Sequence, residues 1–316
     1  MFSCYSPLRS YLSTHYPLLP TRVFFALPVP PPSSSTLSVF IAAHPDDWQL
    51  FMGDVAVRER LSGGRVLYVI VSAGGADRPP AYWQAREAGA LASMQAANAL
   101  AGIAASPVVC EELHIDPQRG VVQAARGNST NAVRRCRVGS ATTVFLRLPD
   151  GRADGSGFAT THLQSLRKLE RHEISDLASV DSVSHYRSLR DVTLTVQAVV
   201  REMATLGWHV QFHAHDPDDQ HNPGDHADHH EVGLIARELS HVLQVPATYY
   251  AGYVNARRAD NLSAIDAAHK AYLFVMYDRA RLEVDGTWSA YCENPWAHAG
   301  YLARTYGRTS LQLVRP

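Results

Sequence analysis

The chain has 316 residues, of which 46% are hydrophobic and 19% charged, and its formal net charge at pH 7 is −1. This composition excludes a disordered chain, and the length allows one or two domains with a large buried core. A net charge near zero gives no electrostatic basis for binding nucleic acid or an anionic membrane. No apolar run approaches the roughly 18 residues of a membrane-spanning helix.

The first 36 residues differ in character from the rest and end in a stretch rich in proline and serine at 28–36. They lack the clean apolar stretch and the small-residue cleavage site of a signal peptide. We therefore predict an N-terminal extension and linker at 1–36 and a single domain at 37–316. A cytoplasmic location is expected, with secretion as the alternative.

The four cysteines stand at positions 4, 110, 136 and 292 and form no C-x-x-C pair. A chain of this length does not need disulfides to be stable. We therefore expect free thiols, as in a reducing compartment.

The first predicted elements alternate between strand and helix. Residues 37–43 are short, apolar and β-branched, which indicates a buried strand. A helix is expected over 49–62, a second buried strand over 65–72 and a second helix over 82–100. This order indicates a parallel sheet with helical crossovers.

The middle of the chain is less regular, and helices and strands alternate again towards its end. The further predicted elements are strands near 108–115, 121–125 and 142–148, a polar loop at 151–181, a helix at 191–206, a strand at 208–215, a helix at 226–243 and a strand at 247–253. The expected fold is α/β, with a Rossmann-like, mostly parallel sheet flanked by helices and a β-rich insertion at 105–150.

Histidines are concentrated in one segment. Of the 16 in the chain, six lie between His213 and His230, and this segment contains a predicted strand and the residues after it. The motif His44-Pro-Asp-Asp also follows a predicted strand. Because ligands bind at the carboxyl ends of parallel strands, we expect the two segments to meet at one edge of the sheet and to hold a metal.

The first segment offers His44, Asp46 and Asp47 within four residues. A catalytic metal takes about three protein ligands and a water, and a strand-to-helix turn can aim two of these side chains at one ion. The third side chain, a carboxylate, then stays free. Taken alone, the motif also fits a helix cap.

The second segment offers His226 and His229, which stand three positions apart at the start of a predicted helix and so share a face. Asp228 is placed to orient a histidine from outside the ligand set. The alternative is a solvated helix N-terminus with Asp225 as its cap.

The two motifs together resemble the PIG-L/LmbE-type zinc-dependent N-deacetylases, which include deacetylases of GlcNAc-phosphatidylinositol and of a mycothiol precursor. Ala43-His-Pro-Asp-Asp47 matches the family's early motif fully. His226-Ala-Asp-His229 matches the late motif except for alanine where the family usually has proline. The resemblance covers roughly residues 37–255.

The resemblance implies that His44, Asp47 and His229 bind Zn²⁺ or another divalent ion. It implies that Asp46 is the general base. It also implies that His226 stabilises the oxyanion, as a cationic or a hydrogen-bonding group. The family motif usually continues with glutamate where this chain has Trp48, which affects substrate range more than metal binding.

Substrate contacts are expected after the second strand, from Asp77, Arg78 and Arg86. The family often has Arg-x-x-Glu here, whereas position 84 is Gln. For each arginine a plain surface role is the alternative. Aromatic residues at 249–253 and 288–296 either line a sugar-binding cleft or pack into the core and surface.

The leading hypothesis is a zinc amidohydrolase that removes an acetyl group from an amino sugar or glycoconjugate resembling GlcNAc. Its partner would be a small N-acetyl sugar or glycoconjugate, with no nucleic acid and no membrane span. One alternative is a thiol-conjugate amidase or an antibiotic-tailoring deacetylase. The other is a non-catalytic, metal-stabilised sugar-binding protein. The sequence does not determine the oligomeric state.

Overall fold

The computed structural model describes residues 35–123, 130–204, 207–286 and 295–310. The centre of the described chain is a nine-stranded sheet with the spatial order β11-β10-β9-β1-β2-β6-β5-β3-β4. Its strands, in chain order, are β1 (Thr36–Ala42), β2 (Arg65–Ser72), β3 (Val109–Asp116), β4 (Val121–Gln123), β5 (Asn131–Val138), β6 (Ala141–Leu148), β9 (His209–His215), β10 (Ala247–Tyr250) and β11 (Gly307–Ser310). A separate hairpin joins β7 (Leu177–Ala178) to β8 (His185–Tyr186).

The five central strands, from β10 to β6 in that spatial order, run parallel. The strands on either side of them are antiparallel. β1 and β2 are buried along almost their whole length, which explains why their sequences are apolar without alternation. The predicted α/β fold with a mostly parallel sheet is confirmed.

Helices cover both faces of this sheet. In the described residues they are α1 (Asp47–Leu61), α2 (Pro80–Leu100), α3 (Leu166–Glu170), α4 (Leu189–Met203), α5 (Ala227–Leu243), α6 (Ala264–Asp285) and α7 (Pro295–Leu302). On one face, Val196 of α4 and Ile235 of α5 belong to one hydrophobic cluster. On the other face, Phe51 of α1, Met94 of α2 and Phe274 of α6 belong to another. The core is therefore two layers of side chains with the sheet between them.

The residues expected as a β-rich insertion at 105–150 pair directly with the main sheet. β6 extends the parallel centre beside β2, and β5, β3 and β4 follow as an antiparallel edge. β5 is not predicted from the sequence, because three arginines replace the expected apolar alternation. Two of them, Arg134 and Arg135, form ion pairs with Glu87 and Glu202. The division of the chain at residue 36 remains a prediction.

Two cysteines are bonded to each other. Cys110 of β3 and Cys136 of β5 form a disulfide, with their Cα atoms 4.1 Å apart. The expectation of free thiols is therefore wrong for this pair. The antiparallel register places the two residues directly opposite one another, which their separation of 26 positions in sequence does not reveal.

Several sequence predictions fall on residues that the structure does not describe. These include most of the expected extension at 1–36, the end of the strand expected at 121–125 and the end of the helix expected at 191–206. Cys4 and Cys292 also lie outside the described residues. Among the helices that are described, none combines the length and the apolar character needed to span a bilayer.

Candidate active site

Two neighbouring parallel strands bring the predicted motifs together. β1 pairs with β9, so the turn after β1 and the segment after β9 leave the sheet at the same edge. Asp47 lies between two histidines there. Its Oδ2 is 3.2 Å from Nδ1 of His44, and its Oδ1 is 3.2 Å from Nε2 of His229. The expected meeting of the two segments is therefore present.

These three side chains could hold a metal ion. His44, Asp47 and His229 are buried, and their ligand atoms lie within 4.8 Å of one another. Two imidazoles and one carboxylate form a donor set that is typical of catalytic zinc and also suits other divalent ions. The donor set of this chain thus fits the metal that the resemblance implies.

Two further groups of histidine and aspartate side chains overlap with this one, and their ligand atoms also lie within 4.8 Å of one another. The further residues that they bring in are His215 and Asp225 beside His229, and Asp150, His226 and Asp228 beside His44. The ring of His215 stacks on that of His229 with the centroids 3.8 Å apart. His215 and Asp150, which are not predicted as site residues from the sequence, therefore belong to the surroundings of the site.

Neighbouring charges shift the pKa values of the three candidate ligands. Burial alone would raise the pKa of Asp47, but His229 and His44 hold it well below its usual range. Burial would likewise lower the pKa of His229, but Asp225 and Asp47 raise it to about 10. Asp47 also raises the pKa of His44, against the effect of burial. Because a metal-binding imidazole must be neutral, binding a cation here would displace these protons.

His226 is the N-cap of α5, and its Nδ1 accepts a hydrogen bond from the backbone N–H of Asp228 at 3.1 Å. In the neutral ring the proton therefore lies on Nε2. Burial and the neighbouring His44 lower the pKa of His226 to about 4. At neutral pH the ring is an uncharged donor, which favours the hydrogen-bonding alternative over the cationic one.

Asp46 precedes α1, but its side chain forms no capping hydrogen bond. It instead accepts a hydrogen bond from the buried guanidinium of Arg86. Arg86 also donates to Tyr277 Oη at 2.9 Å and to the Gly74 carbonyl at 2.7 Å. Arg86, which was predicted to bind substrate, thus holds the carboxylate of the candidate base.

Gly74 makes this arrangement possible. Its φ is +63°, and a Cβ atom built there would lie 2.3 Å from the Arg86 guanidinium. Any other residue at this position would strain the backbone and displace the arginine.

Two aspartates orient the candidate ligands. Asp228 Oδ2 lies 3.3 Å from His44 Nε2 and accepts the Gly151 N–H at 2.8 Å. Asp225 Oδ2 lies 2.9 Å from His229 Nδ1. Carboxylates in such positions fix the tautomer and orientation of metal-binding histidines. From the sequence, Asp225 has only the alternative role of a helix cap. In the sequence, its position four residues before His229 is the signal that the two side chains could meet.

The site opens into a cleft of about 370 Å³. Beyond the residues described above, Phe51, Tyr253 and Tyr301 line it. The ring centroid of Tyr253 lies 5.2 Å from that of His229 and 6.1 Å from that of Tyr301. Of the aromatic residues considered for a sugar cleft, Tyr253 therefore lies at the site, whereas Tyr250 is buried in β10.

The other aromatic candidates do not add to this cleft. Tyr249 is buried in the core like Tyr250. Trp288, Tyr291 and the side chain of Trp296 lie outside the described part of the chain. Trp48 is fully buried, and its ring packs on Tyr68 with the centroids 4.1 Å apart. It therefore packs within the core.

The structure places Asp77 and Arg78 on a neighbouring cavity and not in the cleft. Asp77 Oδ1 accepts a hydrogen bond from Thr160 Oγ1 at 2.7 Å. The guanidinium of Arg78 lies over the ring of Tyr82, 4.8 Å from its centroid. Their predicted role in substrate binding stays a prediction.

Comparison with known proteins identifies the family. The family model of PIG-L, described as GlcNAc-PI de-N-acetylase, matches residues 39–240. The chain therefore belongs to the PIG-L family, as its paired motifs predict. Among curated proteins, none matches the chain significantly.

Solved structures show only a distant likeness. The N,N'-diacetylchitobiose deacetylase from Pyrococcus horikoshii is 14% identical, with a TM-score of 0.42, over 87% of this chain and 84% of that one. A zinc-inhibited form of a teicoplanin deacetylase is 13% identical, with a TM-score of 0.42, over 87% of this chain and 96% of that one. At these values the likeness adds nothing to the family assignment.

Proposed function

We propose that this chain is a metal-dependent N-deacetylase, which hydrolyses the N-acetyl group of an amino sugar or glycoconjugate to acetate and a free amine. Membership of the PIG-L family supports this function. The observation that carries it is that His44, Asp46, Asp47 and His226 line one cleft, with the buried ring of His229 directly against Asp47.

His44, Asp47 and His229 would hold the metal, and Zn²⁺ is the proposed ion because two histidines and one carboxylate recur in catalytic zinc sites. A divalent metal in such a site supplies Lewis acidity, which polarises a carbonyl and lowers the pKa of water towards about 7.

The protein supplies the proton transfers. Asp46 takes a proton from the attacking water, and the water oxygen forms a bond to the amide carbon. The carbonyl oxygen gains negative charge, and His226 donates a hydrogen bond to it from Nε2. When the C–N bond breaks, Asp46 returns its proton to the leaving nitrogen. The acetyl group leaves as acetic acid, which becomes acetate when its remaining proton passes to the amine or to water, and Asp46 is a carboxylate again.

The position of Asp46 also argues against the non-catalytic alternative. A structural metal site has no need for a further carboxylate at the wall of the cleft. Here Asp46 lies in the cleft lining, held by Arg86 and placed outside the three-residue candidate ligand group. That arrangement suits proton transfer.

The test is hydrolysis of N-acetylglucosamine and its glycosides by the full chain, before and after removal of metal with a chelator. We expect acetate and amine in equal amounts, loss of both on chelation and recovery when Zn²⁺ is restored. Tight metal binding without any acetate release would support the sugar-binding alternative. Turnover that survives complete removal of metal would contradict the metal-dependent mechanism.

A further inference from the structure

A second cavity, of about 440 Å³, adjoins the catalytic cleft. Ala76, Asp150 and Phe158 line both spaces, so the two lie side by side. We call this second space the side cavity. The residues assigned to metal binding and proton transfer do not line it.

The wall of the side cavity is mainly apolar. Its larger apolar side chains are those of Pro79, Pro80, Trp83, Pro149, Phe158 and Val180. Trp83 is only 8% exposed, and the Arg147 guanidinium lies over its ring, 5.0 Å from the centroid. To a ligand, these side chains offer apolar contact area but few hydrogen bonds.

Several polar side chains at the wall already have partners within the protein. Thr160 Oγ1 donates to Asp77 at 2.7 Å, and Ser179 Oγ donates to Asp181 at 2.6 Å. Asp150 Oδ2 accepts the backbone N–H of Ala76 at 3.2 Å. A sugar unit in this cavity would lose hydrogen bonds to water wherever the wall is apolar or its polar groups are already bonded, which is unfavourable. An apolar group has no such loss.

The loop between the two spaces is preformed. Ala76 and Asp77 both adopt left-handed backbone conformations, with φ of +46° and +59°. Such strain in consecutive non-glycine residues persists only where surrounding contacts impose it, and it occurs often at binding sites. Here Asp150 and Thr160 supply those contacts.

We propose that the substrate is a glycoconjugate with a compact apolar aglycone, and that this aglycone occupies the side cavity while the amino sugar lies in the catalytic cleft. This inference rests on the proposed deacetylase function. A volume of 440 Å³ lies near the lower end of ligand sites, which span about 300–1,000 Å³. One or two rings fit such a volume better than a long acyl chain.

The test compares the phenyl and methyl glycosides of N-acetylglucosamine. We expect kcat/KM to be about tenfold higher for the phenyl glycoside, because its ring leaves water for an apolar wall. Val180→Trp, which fills the cavity, should abolish this preference, so that kcat/KM becomes equal for the two glycosides. The matched control is Val242→Trp on the exposed surface of α5, which should keep the preference.

Equal rates for both glycosides, or a phenyl preference that survives Val180→Trp, would overturn the side-cavity assignment. An equal gain for N,N'-diacetylchitobiose would also overturn it, by showing a second sugar site.

If neither glycoside is hydrolysed, the deacetylase function fails. The cavity can then still be tested by calorimetry, which measures the affinity of the phenyl glycoside of N-acetylglucosamine for the wild type and for Val180→Trp. Tighter binding to the wild type would support the cavity assignment, and equal affinity would overturn it.

Discussion

Asp46 and Asp47 are neighbours in sequence but have different partners. Asp47 lies between His44 and His229, whereas Asp46 pairs with Arg86 in the wall of the cleft. Adjacent side chains at the start of a helix do not face the same direction. The turn before α1 can therefore offer one carboxylate to a metal and keep the other for proton transfer.

Asp46→Asn tests this separation. The amide cannot accept a proton, so kcat should fall by about 10²–10⁴-fold. The metal content per chain should stay at the wild-type value, because Asp46 is not among the three candidate ligands. Steady-state kinetics and elemental analysis measure the two quantities. Asp219→Asn, at an exposed aspartate, is the control. A near-normal kcat for Asp46→Asn would refute the role of Asp46.

His213 makes the stability of the fold sensitive to acid. Burial lowers the pKa of this histidine to about 3 from an ordinary value of 6.5. Between these values the unfolded chain binds the proton and the native chain does not. Above about pH 6.5 this histidine therefore does not lower the free energy of unfolding. As the pH falls from 6.5 towards 3, the free energy of unfolding decreases by up to about 1.4 kcal/mol per pH unit.

His213→Gln removes this titrating group and retains a side chain that can bond Tyr250 Oη, as His213 Nδ1 does at 2.9 Å. We expect the free energy of unfolding of the variant to fall less steeply than that of the wild type between about pH 6 and about pH 4. Urea denaturation at a series of pH values measures the difference. Parallel curves would show that the ring does not titrate in this window.

At the scale of elements, one buried lysine of α6 attaches residues 301–305 to that helix. Lys270 is fully buried, and its Nζ donates to the carbonyl oxygens of Tyr301 and Arg304 at 2.9 and 2.6 Å and to Thr305 Oγ1 at 3.0 Å. Tyr301 also lines the catalytic cleft. This attachment therefore links the packing of α6 to the wall of the site.

Lys270→Met should lower the free energy of unfolding by about 2 kcal/mol, because it removes the three hydrogen bonds that the buried ammonium group donates. The displaced wall should also raise KM. Lys168, the other lysine, donates to the Leu163 carbonyl at an exposed position. Lys168→Met is thus the control, with an expected change within about 0.5 kcal/mol. Equal losses in the two variants would argue against a special role for Lys270.

At the scale of the whole molecule, the candidate ligands come from segments that only the complete fold brings together. His229 follows Asp47 by 182 positions. A metal that binds this arrangement, and not the unfolded chain, stabilises the native state by about 2.7 kcal/mol at a concentration of 100 Kd.

Addition of Zn²⁺ to chelator-treated protein should therefore raise Tm, by about 5 °C for a domain of this size. Calorimetry or circular dichroism measures the shift. His229→Gln should remove most of it, whereas His172→Gln, at an exposed histidine, should retain it. An unchanged Tm for the wild type across a zinc titration would contradict a native-state metal site.

Several features could be predicted because they depend on local sequence. The apolar runs of β1 and β2 indicate buried strands, and the two motifs that follow strands predicted the family. α6 and α7 were not predicted. Within α6, the buried polar residues Lys270, Asp278 and Arg281 interrupt the apolar face on which periodicity depends.

The sequence by itself determined the α/β class, the family and the five residues proposed for the chemistry, since these depend on short runs of residues. Only the tertiary structure decided that Arg86 holds Asp46, that Cys110 bonds to Cys136 and that a side cavity opens beside the cleft. Each of these features depends on the register of strands or on the packing of loops that are distant in sequence. Local patterns carry no information about such contacts.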